Sequence, residues 1–540
     1  MTPTERAIAS LPSHLRRFAV AQEYDAYTPR DHAVWRHVVR RLVAHLADKA
    51  HESYLRGLEE TGIGTERIPR LDEMNERLSR VGWSAVAVRG FIPPATFTEL
   101  QSRAVLAIAA DIRSHEHVEY TPAPDIIHES AGHAPILADP RYAEYLRRCG
   151  EVGFKAIAAT GDQALFEAVR HLSIVKEDPA ATAEEVRLAE ERLAAAAESR
   201  GRPSESARAS RLYWWTAEYG LVGSPDRPRL YGAGLLSSLG ESAHCLGPGV
   251  ERVPLDEGCA DQDYDITRMQ PRLFVAKDFD HLFDVLERFA ATLSFRVGGD
   301  VGLEEAELAG TVNHLVLAGG TEVTGRVVRR IRGARPAGPA LAAAAALLEG
   351  PVLVSQGGRA RGRPFAGPAL VAFGGGAGPI PPGRFRLALP TGLSLEGFSV
   401  DGIEVVDLRG TLGGRLLDLP RWGLLLRSPS LPSVAGGPGD PEAWDGWFGV
   451  LGSFGEGGGE ARARAHKTSS LDPRAAALYE AVRAARESGA PDPARVSRLR
   501  AQAAAFAEEW LLDAEVAELE AAGAAPRASE RVPALGTPRS

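Results

Sequence analysis

Through residues 30–60 apolar positions recur at three- and four-residue steps. Val34, Val38, Val39, Leu42 and Leu46 form one stripe, and the spacing predicts a helix. A second helix is expected over 94–112, after Pro93-Pro94, carrying Phe97, Leu100, Val105, Leu106 and Ile112. Further helices are expected over 143–160, 208–222 and 278–292. Residues 182–199, rich in Ala, Glu and Arg, read as a solvated helix in which Glu184, Glu185 and Glu190 lie near Arg187 and Arg192. From about residue 300 the pattern changes to short apolar or alternating runs bounded by Gly or Pro. Those at 351–354, 369–373, 385–389 and 403–408 predict strands. Val400-Asp401-Gly402-Ile403 predicts a two-residue hairpin turn, because Asp-Gly tolerates the positive φ such turns need. Residues 436–459 are Gly-rich and read as a linker. Two helices follow. Asp472 is an N-cap with Pro473 at the first helical position and Gly489 as a stop, and Val496, Leu499, Phe506 and Trp510 form an apolar stripe.

The pattern predicts a multidomain chain: a mainly α catalytic domain, a β-rich domain and a short α-helical tail. The expected boundaries are an N-terminal segment 1–24, a catalytic domain 25–297 with an insertion at about 160–206, and a β-rich domain 298–435. A Gly-rich linker 436–465, a helical tail 466–523 and a disordered end 524–540 complete the division.

Composition narrows the class. The chain has 540 residues, 44% hydrophobic and 25% charged, with 62 basic and 71 acidic side chains and a net charge of −9. This is the balance of a globular protein, which excludes collagen, pervasive disorder and a disulfide scaffold. It also disfavours a nucleic-acid partner, since phosphate affinity needs concentrated positive charge. No uncharged apolar run reaches 18 residues, so no membrane-spanning helix is expected. The first 18 residues lack an apolar signal core, and the three Cys form no CxxC, so a cytoplasmic protein with reduced cysteines is expected. Thirteen of the 14 His and 10 of the 11 Tyr lie at or before His314, whereas residues 331–460 hold 29 of the 57 Gly. Groups that ligate, stack or move protons are therefore concentrated in the front half.

The densest chemistry lies in Tyr120-Thr-Pro-Ala-Pro-Asp125-Ile-Ile-His128-Glu129-Ser-Ala-Gly132-His133. Two imidazoles and a nearby carboxylate suit a first-row metal. The spacing of five is not the His-Glu-x-x-His spacing of four found on one face of a zinc-protease helix. On an ideal α-helix it turns the second His by about 140°, so both reach one metal only if the helix starts or bends there, as Pro124 and Gly132 allow. Glu218, in an aromatic and apolar helix where an unpaired charge is costly, is the best third ligand. Two His and one carboxylate form the facial pattern of non-heme Fe(II) oxygenases. On spacing alone, core histidines and a salt-bridged Glu218 account for the same residues.

The ordered series of motifs resembles the pterin-dependent aromatic amino acid hydroxylases. Ile68-Pro69-x-Leu71, Arg89-Gly90-Phe91-Ile92 and Ile112-Arg113 come first, then the Tyr120-to-His133 stretch continuing to Pro135-x-Leu137. Tyr213-Trp214-x-Thr216-x-Glu218-x-Gly220 and Tyr231-Gly-Ala-Gly-Leu-Leu-Ser237-Ser-x-Gly240-Glu241 follow. The similarity covers about residues 25–295. It implies an iron- and tetrahydropterin-dependent monooxygenase that uses O2 to hydroxylate the ring of a free aromatic amino acid, L-phenylalanine to L-tyrosine first.

It further implies His128, His133 and Glu218 as Fe(II) ligands and Arg113 as the anchor of the substrate carboxylate, which a guanidinium fork matches in shape. Asp125 would orient Arg113 or its loop, and Glu129 would guide the pterin or a proton. Thr121, Pro124, Trp214 and His128 would line the aromatic pocket, with Ser237 and Glu241 supporting it. The pterin would lie along Gly90, Phe91 and Ile92, near Phe97, Glu129 and Tyr213. The 85 residues from His133 to Glu218 exceed the family's usual spacing, and the excess falls around 160–206, as a lid or an oligomer contact. The oligomeric state is left open. Hydroxylation of tryptophan or another aromatic amino acid, a metal-dependent hydrolase with Glu129 as base, and an inactive binding protein are the competing readings.

Overall fold

In the computed structural model, residues 1–524 are described except 116–117, 119–124, 178–180, 200, 266–267, 335–341, 455–470 and 490–491. The expected disorder past residue 524, and the expected pocket residues Thr121 and Pro124, lie outside the described residues.

The front half is built on helix Pro29–Leu46. Thr28 caps it reciprocally with Asp31 and Pro29 starts it, while Ala33, Trp35, Val38, Val39, Leu42 and Leu46 are buried. Helix Ser53–Glu60 continues the expected first helix after a turn. The expected helix over 94–112 is shorter. It ends at Ser102, Ala104 takes a positive φ, and Val105–Ala109 forms a strand parallel to Ser84–Val88. That strand is buried on both faces, so its apolar run carries no period to separate strand from helix. The expected helix over 143–160 is Pro140–Lys155, and a second one, Thr160–Glu177, starts after a break. This second helix pairs with the solvated helix Ala183–Ser199, Lys176 bonding Glu190 at 2.9 Å. A four-stranded sheet, 227–230, 221–224, 272–276 and 251–254 in that order, closes the unit beside helix Phe279–Ala290.

The back half is one eleven-stranded sheet. Its central strand, Ala369–Phe373, is buried throughout. Ala369, Val371 and Phe373 face a core with helix Gly299–Ala309, and Leu370 and Ala372 face a second core with Leu393, Leu395, Val405 and Leu408. Peripheral strand Gly383–Ala388 instead alternates in exposure, as a half-buried strand should. The Asp401-Gly402 hairpin forms between Leu393–Ser399 and Glu404–Leu412, but its loop is longer than two residues. The Asp401 carboxylate accepts the backbone N–H of Ile403 and Glu404, which ties the loop together.

Two expectations at the end of the chain change. The Gly-rich stretch 436–465 is not simply a linker: Pro441–Phe454 is a helix, anchored by buried Trp444 and by Asp445, which pairs with Arg17. Among its described residues the tail contains three helices, Pro473–Glu487, Pro493–Ala503 and Trp510–Ala524, and its Tyr479, Val482, Leu499, Leu512 and Val516 join the core of the front half. Buried Arg36 holds Glu515 through two bonds of 2.6 and 2.9 Å, and Arg30 holds Glu509 at 2.9 Å. Of the expected stripe, Val496 and Leu499 are buried, while Trp510 is exposed and meets His37 edge-on.

The two halves meet at residues 156–158. Ile157 belongs to the sheet's core, Ala158 O accepts the Thr311 hydroxyl at 2.6 Å, and a Cβ on Gly436 would fall 2.3 Å from Ala156 O.

Candidate metal centre and active-site cavity

His128–His133 forms one turn of π-helix, and so does Trp214–Glu218, where Tyr219 N–H bonds Trp214 O. A π-turn links residues five apart, so it brings His128 and His133 onto one side where an α-helix would splay them. Their ring centroids are 5.1 Å apart, nearly perpendicular. Glu218 faces both: His128 Nε2 lies 3.2 Å from Oε2 and His133 Nε2 lies 3.0 Å from Oε1. One ligand atom from each of the three can be chosen so that all lie within 4.8 Å of one another, a set that could hold a metal ion.

Small residues permit this convergence. A Cβ on Gly132 would fall 2.7 Å from Ala233 O, and one on Gly232 would fall 2.4 Å from Glu218 O. Helix Ala233–Ser237 is thereby pressed against both ligand turns. The Ser237 hydroxyl donates to Ala233 O at 2.7 Å, so its lone pair is what meets His128 Nδ1 at 2.9 Å. Nδ1 must then carry the proton, and the Nε2 lone pair is directed at the shared centre. This outer contact fixes the tautomer that a metal ligand needs, so the donor set fits a first-row cation.

Electrostatics agree. Burial alone would raise the Glu218 carboxyl and lower the His128 imidazole. The imidazoles of His133 and His128 overcome burial and hold Glu218 below the usual carboxylate range, while Glu218 raises His128 to about 9. Protons and a cation therefore compete for the same atoms. Burial raises the Glu129 carboxyl, whose Oε2 is buried without a partner among the described residues. Burial works against Asp125 as well, but Arg113 outweighs it and lowers that carboxyl.

Asp125 joins two of the expected roles. It takes the Nε–Nη2 edge of Arg113 at 2.7 and 3.0 Å and also accepts the His128 backbone N–H at 3.1 Å. All of this borders a cavity of about 770 Å³. Of the expected residues, Phe91, Phe97, Arg113, His128, Glu129, Tyr213, Trp214, Glu218, Ser237 and Glu241 line it. Asp125 and His133 sit behind the wall, 2% and 1% exposed. Gly90 turns the chain at φ 59°, and Ile92 packs into a small core with Val86 and Leu100.

Trp214 does not offer an open face. Tyr219 covers one side (centroids 4.5 Å, 28°) and Tyr264 the other (4.2 Å, 8°). Both tyrosines line the cavity and were missed. Tyr219 follows Glu218 directly and could have been read from that, whereas nothing local distinguishes Tyr264. Cys149 also lines the wall. Burial pushes its thiol up to about 12, so it is an unreactive surface.

The model of the biopterin-dependent aromatic amino acid hydroxylases matches residues 17–173 and 187–300, half of the chain. The phenylalanine-4-hydroxylase of Chromobacterium violaceum is 29% identical over 284 residues, 52% of this chain and 81% of that one. The Pseudomonas aeruginosa enzyme of the same name is 31% identical over 267 residues, 48% and 83%. A crystal structure of the Chromobacterium enzyme with bound Fe(III) aligns at 30% identity over 53% of this chain and 88% of that one, with a TM-score of 0.41. The chain belongs to the biopterin-dependent aromatic amino acid hydroxylases, and it is an enzyme similar to the phenylalanine-4-hydroxylases within that family. The match breaks at 174–186, within the region expected to be inserted. Among the described residues no helix is long and apolar enough to cross a membrane.

Proposed function

We propose that this enzyme is a phenylalanine 4-monooxygenase, converting L-phenylalanine and O2 to L-tyrosine with Fe(II) and a tetrahydropterin. The observation that carries the reading is the convergence of His128, His133 and Glu218 on one point of a cavity that also contains Arg113. The relatives named phenylalanine-4-hydroxylase, and the iron- and 7,8-dihydrobiopterin-bound structure of the Chromobacterium enzyme, agree with it. The bound metal and reduced pterin would supply the electrons and the oxygen activation that no side chain can.

The chain's own residues position and shield. With its Nε–Nη2 edge committed to Asp125 and its Nη1 donating to Val118 O at 3.2 Å, Arg113 would give its remaining Nη N–H groups to the substrate carboxylate. Because Asp125 also holds His128 N–H, the anchor and the first metal ligand are set by one carboxylate. Ser237 holds the proton on His128 Nδ1, so Nε2 is the atom that gives up its proton when a metal binds. Phe91, Phe97 and Tyr213 form the wall along which the pterin would lie. Glu129, whose carboxyl burial keeps easy to protonate, would exchange a proton there. The ring stack around Trp214 closes the amino-acid side against water. The cytoplasm remains the expected compartment.

The test is reconstitution with Fe(II), tetrahydropterin and O2. Tyrosine is expected to form from phenylalanine. No product from phenylalanine, tryptophan or tyrosine, at full metal content, would overturn the reading.

A further inference from the structure

One face of the eleven-stranded sheet is only partly covered. On that face Ala369, Val371, Phe373 and Leu424 share a core with helix Gly299–Ala309. Leu424 stands opposite Glu404 in the ladder, so the same face continues onto strand Glu404–Leu412. There the helical cover ends. Phe398 pairs with Val406 and Val406 with Trp422, which makes them direct neighbours across three adjacent strands. They form one apolar row, 45%, 36% and 49% exposed. Single exposed apolar side chains are ordinary, whereas a contiguous row with two large aromatic rings marks a contact surface.

The row is held ready for a partner. The Trp422 indole lies over Gly367, where a Cβ would fall 2.5 Å from the ring, and Phe365 meets it edge-on with centroids 5.5 Å apart. It is a rigid aromatic anchor with little freedom to lose on being covered. Charges flank it on both sides. Glu404 precedes Val406 on its strand, and Arg409 follows it, opposite Glu396 and on the same face. Neither Glu404 nor Arg409 has an ion-pair partner among the described residues, whereas nearby Arg386 holds Glu396 and Arg421 holds Asp407.

We propose that the chain forms a two-fold homodimer through this uncovered face, anchored by Trp422 and Phe398. A two-fold axis along the row lays its three apolar side chains against those of a second copy and exchanges the row's two sides. Glu404 of one protomer then meets Arg409 of its partner, twice. Arg384, beside Phe398 on edge strand Gly383–Ala388, stays at the solvated rim. A uniformly acidic or basic partner would meet one like charge for each unlike one, so the mixed pattern suits a copy of itself. Neither the metal centre nor the cavity takes part, so dimerisation stands or falls separately from the hydroxylase chemistry.

The test is sedimentation velocity of the full-length, iron-loaded chain over about 1–50 μM, where a dimer with a Kd of about 10 μM or tighter is expected. Trp422→Glu should weaken it more than about 30-fold, as loss of a central anchor does. Glu404→Arg and Arg409→Glu, each setting like charges together twice, should each weaken it about tenfold. Both reversals in one chain should restore association to within about threefold, and an equimolar mixture of the two single variants should form mixed dimers. Unchanged urea midpoints check that each variant folds. Because Trp422 also packs on Gly367, the exposed charge reversals carry the test if Trp422→Glu unfolds. A wild type that stays monomeric throughout that range overturns the proposal, even if it captures a different protein. So does a dimer that survives Trp422→Glu and both single reversals, or a double reversal and a mixture that recover nothing.

Discussion

Glycine serves one end at the candidate metal site and another in the strand turns of the sheet. In the front half, Gly132 and Gly232 are there for closeness: a side chain on either would strike the backbone of a segment that carries or supports one of the three converging side chains. In the back half, Gly413 and Gly414 both take positive φ in the tight turn between strands Glu404–Leu412 and Arg415–Leu417, with space around Gly414. The first use concentrates polar atoms on one point, and the second lets strands reverse around an apolar core. The same residue type thus marks a site in one region and a scaffold in the other, and composition alone cannot separate them.

The contrast can be broken or sharpened by substitution. The largest effect is expected from Glu218→Ala, which removes one of three converging ligands. Metal content and hydroxylation should fall together by more than about 100-fold, the upper end of what losing even an outer-shell partner costs. Iron retained at wild-type stoichiometry by elemental analysis would show that the front half does not depend on this point. Next is Arg36→Ala, which leaves buried Glu515 with only the longer pair to Arg486 at 3.8 Å and should cost about 3 kcal/mol by urea denaturation. A loss under 1 kcal/mol would mean that the tail is only loosely attached.

Ile157→Ala removes a side chain of the sheet's core from a segment whose backbone oxygen accepts the N–H of cavity-lining Ser206. A loss of about 2–4 kcal/mol is expected. If KM for the amino acid or pterin also shifts, scaffold and site are coupled, and an unchanged KM separates them. The smallest effect concerns Glu241, whose carboxyl burial raises from 4.5 to about 7. A raised folded value means that the protonated form is favoured by folding. Its contribution is present below about pH 4.5 and is lost as pH rises through 7. Glu241→Gln, permanently neutral, should therefore be more stable than wild type above pH 7 and lose that advantage below about pH 4.5. Parallel urea midpoints at pH 4.5 and 8 would check it.

Much of the site could be read before the fold was known, because motif order names His128, His133, Glu218, Arg113 and Asp125 without geometry. What spacing could not supply was the π-turn. Judged against an α-helix, a separation of five looks unfavourable, and the local winding that corrects it depends on packing against Ala233 and its neighbours. The strand 105–109 was hidden for a related reason: burial on both faces erases the alternation that identifies a strand. Helix Pro441–Phe454 was hidden by its own glycines, since Trp444 has to find its pocket before the segment pays its ordering entropy. The tail's attachment was invisible because partners such as Arg36 and Glu515 are separated by 479 positions.

That separation also has a consequence in time. During synthesis at about 5–20 residues per second, Arg36 must wait roughly 25–100 s before Glu515 exists. Over that interval the first long helix carries two guanidinium groups, Arg30 and Arg36, that cannot be buried without their carboxylates. The front half is therefore expected to finish last although it is made first. Ribosome-bound chains arrested before residue 509 should be cut by protease within 29–46, and chains extended past the tail should resist.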